Sequence, residues 1–370
     1  MQNQGQQIKQ SNHIVYFDYL RILATMTVIM LHAAASNWLV LDYTTTAWKI
    51  HHFFDGAARW AVPVFIMMSG ALFLNPAKEI PLRRMYLKYV LPMAITFVIW
   101  SVLYAIADVL RSEGASFLFF ASMVVRGHYH MWFILLISSL YMVVPLLRKI
   151  TADTALTRYV VLLGIIMVII VPRVLFMMEQ LIGPEDQLVV TTLTDVFHYT
   201  HFPKASEYVL YFILGYVLHT TELKPVFRWA LYGLGCICLG MLLLLTDWAA
   251  ARNGVQVGWF YEPKSFNVLV ISSAAFVFGK YELSRLKLST KAKQITQYIA
   301  KRSFTMYLVH AIVLEILNRI GLHTRAFHAA LSIPALTLAG FVISLVLAVV
   351  IDSAKSRIAA VFTPKAASNS

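Results

Sequence analysis

Four polar side chains recur along one face of the first long apolar run: Asp18, Arg21, Thr25 and His32. A helix turns about 1100° between Arg21 and His32, so both fall within about 20° of one face, separated by a rise of roughly 16 Å. Imidazole has the unperturbed pKa nearest neutrality, so His32 is the predicted general base. Arg21 is too far along the helix to touch the same atom, and we expect it to contact a phosphate or to orient Asp18. Alternatively, Arg21 reaches lipid phosphates and His32 satisfies a backbone carbonyl.

A second polar stripe lies late in the chain, where Ser303, Tyr307 and His310 fall within about 60° of one helix face. Polar side chains on a helix inside a bilayer face protein or water rather than lipid. The stripe therefore predicts another wall of a polar site. Tyr307 and His310 are candidate hydrogen-bonding groups within it.

The second apolar run contains features that packing alone can explain. Pro63 frees one backbone carbonyl, and Ser69-Gly70 permits the close approach of another helix. Near its start, Asp55 and Arg59 stand four residues apart. They could form a salt bridge or contact a polar substrate, and the sequence does not choose between the two.

Two histidines and a tryptophan, His128, His130 and Trp132, open the fourth apolar run. On a helix, side chains two residues apart point about 200° apart, so these histidines make a poor metal pair. Trp132 and its neighbour Tyr129 also suit the aromatic belt of a membrane interface without any further function.

A pair of arginines, Arg83 and Arg84, precedes the third apolar run, and Lys88 follows them. One interpretation is that these residues anchor the cytoplasmic boundary of a span. The other is a phosphate clamp, because guanidinium groups match phosphate oxygens.

The composition decides which scaffold must position these side chains. Of 370 residues, 59% are hydrophobic and only 13% are charged, against about 25% charged in soluble domains. These values exclude a soluble enzyme, a disordered scaffold and a disulfide-built secreted domain. They predict a polytopic membrane protein.

A bilayer span needs about 20 mostly apolar residues, and ten runs approach that length. They cover residues 15–36, 53–74, 85–108, 130–147, 158–178, 206–220, 226–247, 265–281, 303–320 and 334–352. The sixth is short and the ninth carries several polar groups. Since backbone polar groups in lipid must be satisfied internally, the runs predict an all-α polytopic helical bundle. We expect one transmembrane domain, residues 15–352, between tails of residues 1–14 and 353–370.

The distribution of basic residues predicts the orientation. With the N-terminus inside, cytoplasmic segments carry Lys and Arg in an excess of about two to one, most densely in residues 280–302. We therefore expect both termini in the cytoplasm and a multi-pass protein of the inner membrane. Residues 22–31 with Ala33-Ala34-Ala35 also resemble a signal-peptide core and cleavage site. The charged residues before this stretch argue against cleavage.

Four local patterns together resemble one family, the integral membrane acyltransferases of acyltransferase family 3. The patterns are Asp18-Tyr19-Leu20-Arg21 with His32, Val62-Pro63-Val64-Phe65 with Ser69-Gly70, His130-Met131-Trp132-Phe133, and Ser303 with Tyr307-Leu308-Val309-His310. The chain departs conservatively at Met131 and Phe133, where other members often have Leu and Tyr. It looks most similar to stand-alone members that lack a fused outer domain, such as the O-acetyltransferase of enterobacterial common antigen.

The resemblance implies transfer of an acyl group, commonly acetyl, from acetyl-CoA or another acyl-CoA to a hydroxyl of a cell-surface glycan or its lipid-linked precursor. It implies membrane lipid as surroundings and neither a metal nor nucleic acid as a partner. We expect His32, Arg21 and Asp18 to be catalytic, and Tyr307 or His310 could donate to the developing oxyanion or place the acceptor. The remaining expected contacts are Arg83, Arg84, Ser69, Tyr307 and His310 to the donor, and His130, Trp132, Asp55 and Arg59 to the acceptor.

Three other functions remain compatible with the sequence. A transporter or flippase of a small polar solute is the main alternative, although such proteins usually show paired spans related by an internal repeat, which we do not find. The others are a different polytopic enzyme of lipid-linked sugars and a purely structural membrane module. No Ser or Cys stands out as an acyl-enzyme nucleophile, so direct transfer is preferred.

Two predicted outer loops have a composition that would suit a sugar. Residues 179–205 and 248–263 carry acidic and aromatic side chains: Glu185, Asp186, Asp195, Trp248, Trp259 and Tyr261. Solvation of the loops and an aromatic belt explain these residues equally well.

Overall fold

The computed structural model describes residues 13–78, 80–112, 116–182, 187–199 and 202–362. This part of the chain forms helices and no strands, which confirms the predicted all-α bundle. The helices are α1 Val15–Ala35, α2 Thr46–Ala58, α3 Ala61–Phe73, α4 Leu82–Met85, α5 Leu91–Val109, α6 Phe117–Arg126, α7 Trp132–Thr151, α8 Thr154–Gly164, α9 Val171–Leu181, α10 Gln187–Tyr199, α11 Phe202–Thr220, α12 Pro225–Asn253, α13 Phe266–Tyr281, α14 Thr290–Ala300, α15 Ser303–Arg319 and α16 Ala329–Phe362.

Eight helical segments of the described chain are long and apolar enough to cross a membrane, two fewer than predicted. Short π-helical turns join α4 to α5 and α8 to α9, so each pair forms one continuous segment of 28 residues. The sixth and ninth predicted spans exist as α11 and α15 but are not among the eight. The helix α15 has 17 residues, somewhat fewer than the roughly 20 that a span needs, and both α11 and α15 pack against other helices of the bundle.

The last helix is longer than the sequence predicted. It has 34 residues and continues ten residues beyond the predicted end of the tenth span, to Phe362. At about 1.5 Å per residue it is roughly 51 Å long, well over the ~30 Å of a bilayer core. Its polar end can therefore stay helical in water. The remaining residues of the predicted C-terminal tail, like Met1 to Asn12, lie outside the described residues.

The centre of the bundle depends on a close contact between α3 and α11. A Cβ added to Gly70 would overlap the backbone carbonyl of Phe212, and one added to Gly215 would overlap the backbone of Met67. Only glycine permits this approach of the two backbones. The prediction that Ser69-Gly70 supports close helix approach is confirmed.

Two side chains of α7 satisfy carbonyls that the end of α3 leaves without an intrahelical partner. Arg148 donates from Nε to the carbonyl of Phe73 at 2.7 Å, and Thr151 donates to the carbonyl of Leu74 at 2.7 Å. The last carbonyls of a helix need such partners when they are buried. Through α7 and α11, α3 is held on two sides.

The first helix lies inside the bundle rather than at its edge. It packs against α2, α3, α13, α14, α15 and α16, and Ala24, Ile29 and Ala34 are fully buried. A helix that is covered this completely presents its polar stripe to the interior. The fold therefore directs the stripe of α1 into the protein.

Candidate functional site

A cavity of about 600 Å³ lies beside α1 and receives side chains from seven of the described helices. Eight of the residues predicted for the site line it: Arg21, His32, Arg59, Ser69, His130, Trp132, Tyr307 and His310. Arg21 and Lys301 line the end near the starts of α1 and α15, whereas Arg59 and Tyr261 line the opposite end. The structure thus brings the two polar stripes of α1 and α15 to one cavity.

His32 stands among aromatic rings from three other parts of the chain. Its ring centroid is 5.1 Å from that of His310 and 5.2 Å from that of Tyr129. Its ring makes no hydrogen bond to another described residue, so neither ring nitrogen donates to a backbone carbonyl. Because Arg21 and His32 both line the cavity, neither side chain points only into lipid.

The ring of His310 has one fixed tautomer. Its Nδ1 lies 2.5 Å from the backbone carbonyl of Tyr307, and a carbonyl can only accept, so Nδ1 carries the hydrogen. In the neutral ring Nε2 is then the acceptor. This nitrogen is buried without a partner among the described residues. His310 therefore suits accepting a hydrogen bond from a hydroxyl, rather than donating to an oxyanion as the sequence suggested.

The hydroxyl of Tyr307 is already engaged, because it donates to the backbone carbonyl of His130. This bond joins α15 to the turn that precedes α7. It fixes the position of His130, whose ring centroid lies 5.0 Å from that of His310. The predicted role of Tyr307 as a donor to the oxyanion would require this bond to break.

His128 and His130 do not diverge as the sequence predicted. They lie in a turn before α7, not on the helix, and their Nδ1 atoms are 2.9 Å apart. Burial, followed by the neighbouring imidazoles of His310 and His128, lowers the pKa of His130. The Nε2 of His130 is buried and unpartnered among the described residues. This turn places a neutral imidazole against the cavity.

Asp18 does not line the cavity. It is buried, with one carboxylate oxygen 3.4 Å from Arg21 Nη1 and the other 2.7 Å from His13 Nε2. The carboxylate therefore contacts the guanidinium of Arg21 without itself reaching the cavity. This is the orienting role that the sequence suggested for the pair. A direct contact between Asp18 and a substrate is not supported by this placement.

Asp55 and Arg59 form a salt bridge of 2.6 Å between Oδ2 and Nη2. Asp55 is buried and does not line the cavity, while Arg59 does. The guanidinium of Arg59 stacks over the ring of Tyr261, 4.3 Å from its centroid. Only Arg59 of this pair can therefore contact a ligand in the cavity, and Asp55 positions it.

Arg83 and Arg84 lie outside the cavity lining. Both side chains are exposed on α4, the four-residue helix Leu82–Met85. The structure does not bring them to the histidines, so a phosphate clamp there would act at the surface. Anchoring at the membrane boundary explains their placement without a ligand.

The lining includes three permanent cations and, among the described residues, no acidic side chain. Two of them, Arg21 and Arg59, belong to the predicted site, whereas sequence reasoning missed Lys301. Lys301 is exposed at the cavity end and makes no ion pair with another described residue. Its position two residues before the stripe that begins at Ser303 is the signal that could have identified it.

The walls between the cations are mainly aromatic and apolar. Phe65, Phe133 and Trp132 line the cavity from α3 and α7, and the sequence missed Tyr141 and Tyr208. No group of three or more His, Cys, Asp or Glu side chains in the described ranges could hold a metal ion. The arrangement offers imidazole chemistry in a partly apolar, positively charged cavity.

Comparison with known proteins identifies the chain's family. A family model described as an acyltransferase domain matches residues 14–352, nearly the whole chain. No curated protein and no solved structure matches the chain. The matched region includes both polar stripes and every residue that lines the cavity. The chain therefore belongs to acyltransferase family 3 and is a multi-pass membrane acyltransferase.

Proposed function

We propose that this protein is an O-acyltransferase of the inner membrane that takes an acyl group, commonly acetyl, from cytoplasmic acyl-CoA. The acceptor is a hydroxyl of a cell-surface glycan or of its lipid-linked precursor. The observation that carries the proposal is the meeting of His32, His130 and His310 on one cavity with a cationic end. Acyl transfer needs a base and a place for a polyanionic donor, and this cavity offers both.

The charge of the cavity supports a CoA thioester as the donor. Arg21 and Lys301 lie at the end that the loop charges predict to be cytoplasmic, and no acidic side chain among the described lining residues opposes them. The phosphates of CoA would lie against these cations, since charge-assisted contacts to phosphate are favourable. The rise of roughly 16 Å from Arg21 to His32 leaves room for a long arm that brings the thioester to the histidines.

The histidines can perform a direct transfer. In this proposal, His32 removes the proton from the acceptor hydroxyl as its oxygen attacks the thioester carbonyl, forming the C–O bond. The C–S bond then breaks, and the CoA thiolate takes the proton from His32. The Nε2 atoms of His130 and His310 are buried without a partner among the described residues, which supports a role for these rings as hydrogen-bond partners of the reacting carbonyl and hydroxyl.

The opposite end of the cavity supports an acceptor that arrives from the other side. Arg59, Trp132 and Tyr261 line it, and a mixture of flat rings and one fixed cation is typical of a site for a polar ring. Donor and acceptor would then reach His32 from opposite ends. This arrangement avoids the need for either substrate to leave before the other enters.

The experiment is release of CoA by the purified full chain in lipid nanodiscs, followed with a thiol reagent. We expect CoA release from acetyl-CoA that rises with added sugar hydroxyls. His328, an exposed histidine outside the cavity, provides the control His328→Ala, which should match the wild type. A transporter would neither bind acetyl-CoA nor release CoA, and that result would contradict the proposal.

A further inference from the structure

A second cavity lies beside the main one, at the end where Arg59 and Tyr261 line the main cavity. It has a volume of about 290 Å³, close to the lower end of the ~300–1,000 Å³ usual for small-molecule pockets. Helices α9 and α10 and the segment of residues 258–264 form its walls. Its lining includes Arg173, Phe176, Glu179, Thr194, Trp259 and Glu262. None of the catalytic, donor or acceptor contacts predicted from the sequence lies in it, whereas Trp259 belongs to an outer loop whose composition was expected to suit a sugar.

One loop separates the two cavities. We call residues 258–264 the partition loop. Its Tyr261 and Pro263 line the main cavity, whereas Trp259 and Glu262 line the second one. A ligand in the second cavity therefore lies a single loop away from the histidines.

The partition loop is fixed by side chains from two helices. Arg173 of α9 donates to the carbonyl of Trp259 at 3.1 Å, and Tyr211 of α11 donates to the carbonyl of Pro263 at 2.6 Å. Hydrogen bonds from fixed side chains to loop carbonyls preorganise a binding surface. The wall between the two cavities is thus held in place from both sides.

The charges in the second cavity are balanced, in contrast to the main cavity. Glu262 pairs with Lys264 at 3.1 Å, and Arg173 is engaged by the loop carbonyl. Glu179 makes no ion pair or hydrogen bond with another described residue, so its carboxylate is free to accept. With two carboxylates and two cations, the lining favours a neutral ligand over the polyanionic donor.

Flat rings complete the second cavity. Phe176 and Trp259 meet edge to face, with centroids 4.8 Å apart and planes at 71°. A carboxylate beside aromatic rings matches a pyranose, which has an apolar C–H face and hydroxyl donors at its edge. Glu179 can accept from two neighbouring hydroxyls, since each carboxylate oxygen has free lone pairs.

We propose that the second cavity is a saccharide subsite that holds one neutral sugar unit of the acceptor. Another unit of the same glycan reaches past the edge of the partition loop into the main cavity and presents its hydroxyl to His32. This inference rests on the proposed function, because it names where the acceptor is recognised. Binding energy from this sugar unit would then help to position the reacting hydroxyl of the other unit.

The test measures both binding and turnover with the full chain in nanodiscs. The probes are methyl glycosides of neutral hexoses and of N-acetylhexosamines, observed by saturation-transfer NMR, with CoA release recorded in parallel. Glu179→Gln and Trp259→Ala should each weaken glycoside binding about tenfold and raise the acceptor KM by a similar factor, with little change in kcat. Trp248→Ala is the matched control, because Trp248 lies at the end of α12 and lines neither cavity.

The outcomes separate this inference from the proposed function. Glycoside binding that Glu179→Gln weakens, without any CoA release by the wild type, supports the subsite and refutes acyl transfer. CoA release with glycoside affinities that are the same in all three variants refutes the subsite and leaves acyl transfer standing. Failure of every glycoside to bind the wild type also overturns the subsite. Should Trp259→Ala not fold, Glu179→Gln still decides.

Discussion

Individual hydrogen bonds give the buried rings of the site their chemical roles. The carbonyl of Tyr307 requires the hydrogen of His310 to be on Nδ1, and the hydroxyl of Tyr307 in turn holds the carbonyl of His130. A single tyrosine therefore orients two of the three histidines that line the cavity. Such supporting contacts keep reacting groups within the narrow range of positions that catalysis needs.

Removing the hydroxyl of Tyr307 should affect both stability and turnover. In Tyr307→Phe the carbonyl of His130 loses its partner, which costs about 1–3 kcal/mol when a buried polar group is left unsatisfied. We expect a lower melting temperature in detergent and a reduced kcat. Tyr298→Phe is the control, since the exposed Tyr298 contributes its ring to Arg302. Equal melting temperatures for the two variants would contradict the assigned bond.

The cation at the cavity end should be needed for donor affinity rather than for chemistry. Lys301→Ala should raise the KM for acetyl-CoA roughly tenfold, because a charge-assisted contact contributes about 1.5–3 kcal/mol. The effect should shrink at high salt, which screens exposed charges. Lys291→Ala, on the exposed face of α14, should leave the KM unchanged. Equal KM values for both variants would remove Lys301 from the donor site.

The sequence predicted the two polar stripes because each lies on one helix, where the 3.6-residue period fixes the relative directions of side chains. It did not predict contacts between helices. The approach of His32 to His310 and the turn that joins His128 to His130 depend on how distant segments pack. The same limit explains why Asp55 was grouped with Arg59, although only Arg59 lines the cavity.

Helix packing at the α3–α11 contact determines whether the cavity can form. Pro63, Phe65 and Ser69 of α3 line the cavity, while the opposite side of that helix meets α11 through Gly70 and Gly215. Any separation of these helices would move one cavity wall. Glycine is needed here for close approach and not for an unusual backbone conformation.

A methyl group at the α3–α11 contact should therefore be severely destabilising. Gly215→Ala places a Cβ on the backbone of Met67, and backbone cannot rotate away as a side chain can. We expect a loss at or above the roughly 1–3 kcal/mol usual for overpacking, seen as low yield and a lower melting temperature. Gly233→Ala has nothing within 4 Å of the new Cβ and should be neutral or slightly stabilising. Similar melting temperatures for the two variants would disprove this packing.

Element types followed from the sequence, whereas some element ends and roles did not. Apolar length predicted each of the eight described segments that are long and apolar enough to cross a membrane, because lipid leaves the backbone no other choice than a helix. Length could not show that α11 and α15 are enclosed by other helices, since enclosure depends on tertiary packing. Nor could it show that α16 continues to Phe362, because a helix leaving the bilayer needs no apolar residues.

At the scale of the whole molecule, the two ends of the bundle differ in charge. The basic segment of residues 280–302 lies next to the cavity end with Arg21 and Lys301. The two cavities at the opposite end are separated by the partition loop. In the proposed function, this polarity would assign the anionic donor and the glycan to different sides of the membrane.

Accessibility of single cysteines should reveal that orientation. In a functional background with Cys236 and Cys238 replaced by serine, we expect Val255→Cys to react with a membrane-impermeant maleimide in spheroplasts. Lys291→Cys should react only after the membrane is opened. Both positions are exposed in the structure, so labelling reports the side of the membrane. Labelling of Lys291→Cys alone in intact spheroplasts would reverse the orientation.

We propose above all that His32 acts in this cavity as the general base for the acceptor hydroxyl, rather than helping to bind the donor. The most direct measurement compares the wild type with His32→Ala and His32→Gln, recording acetyl-CoA binding by calorimetry and transfer of labelled acetyl in the same preparations. We predict that both variants bind acetyl-CoA within a factor of about three of the wild type. Transfer should fall at least about 10²-fold, as expected for loss of a general base. Transfer near the wild-type rate in either variant would contradict the account.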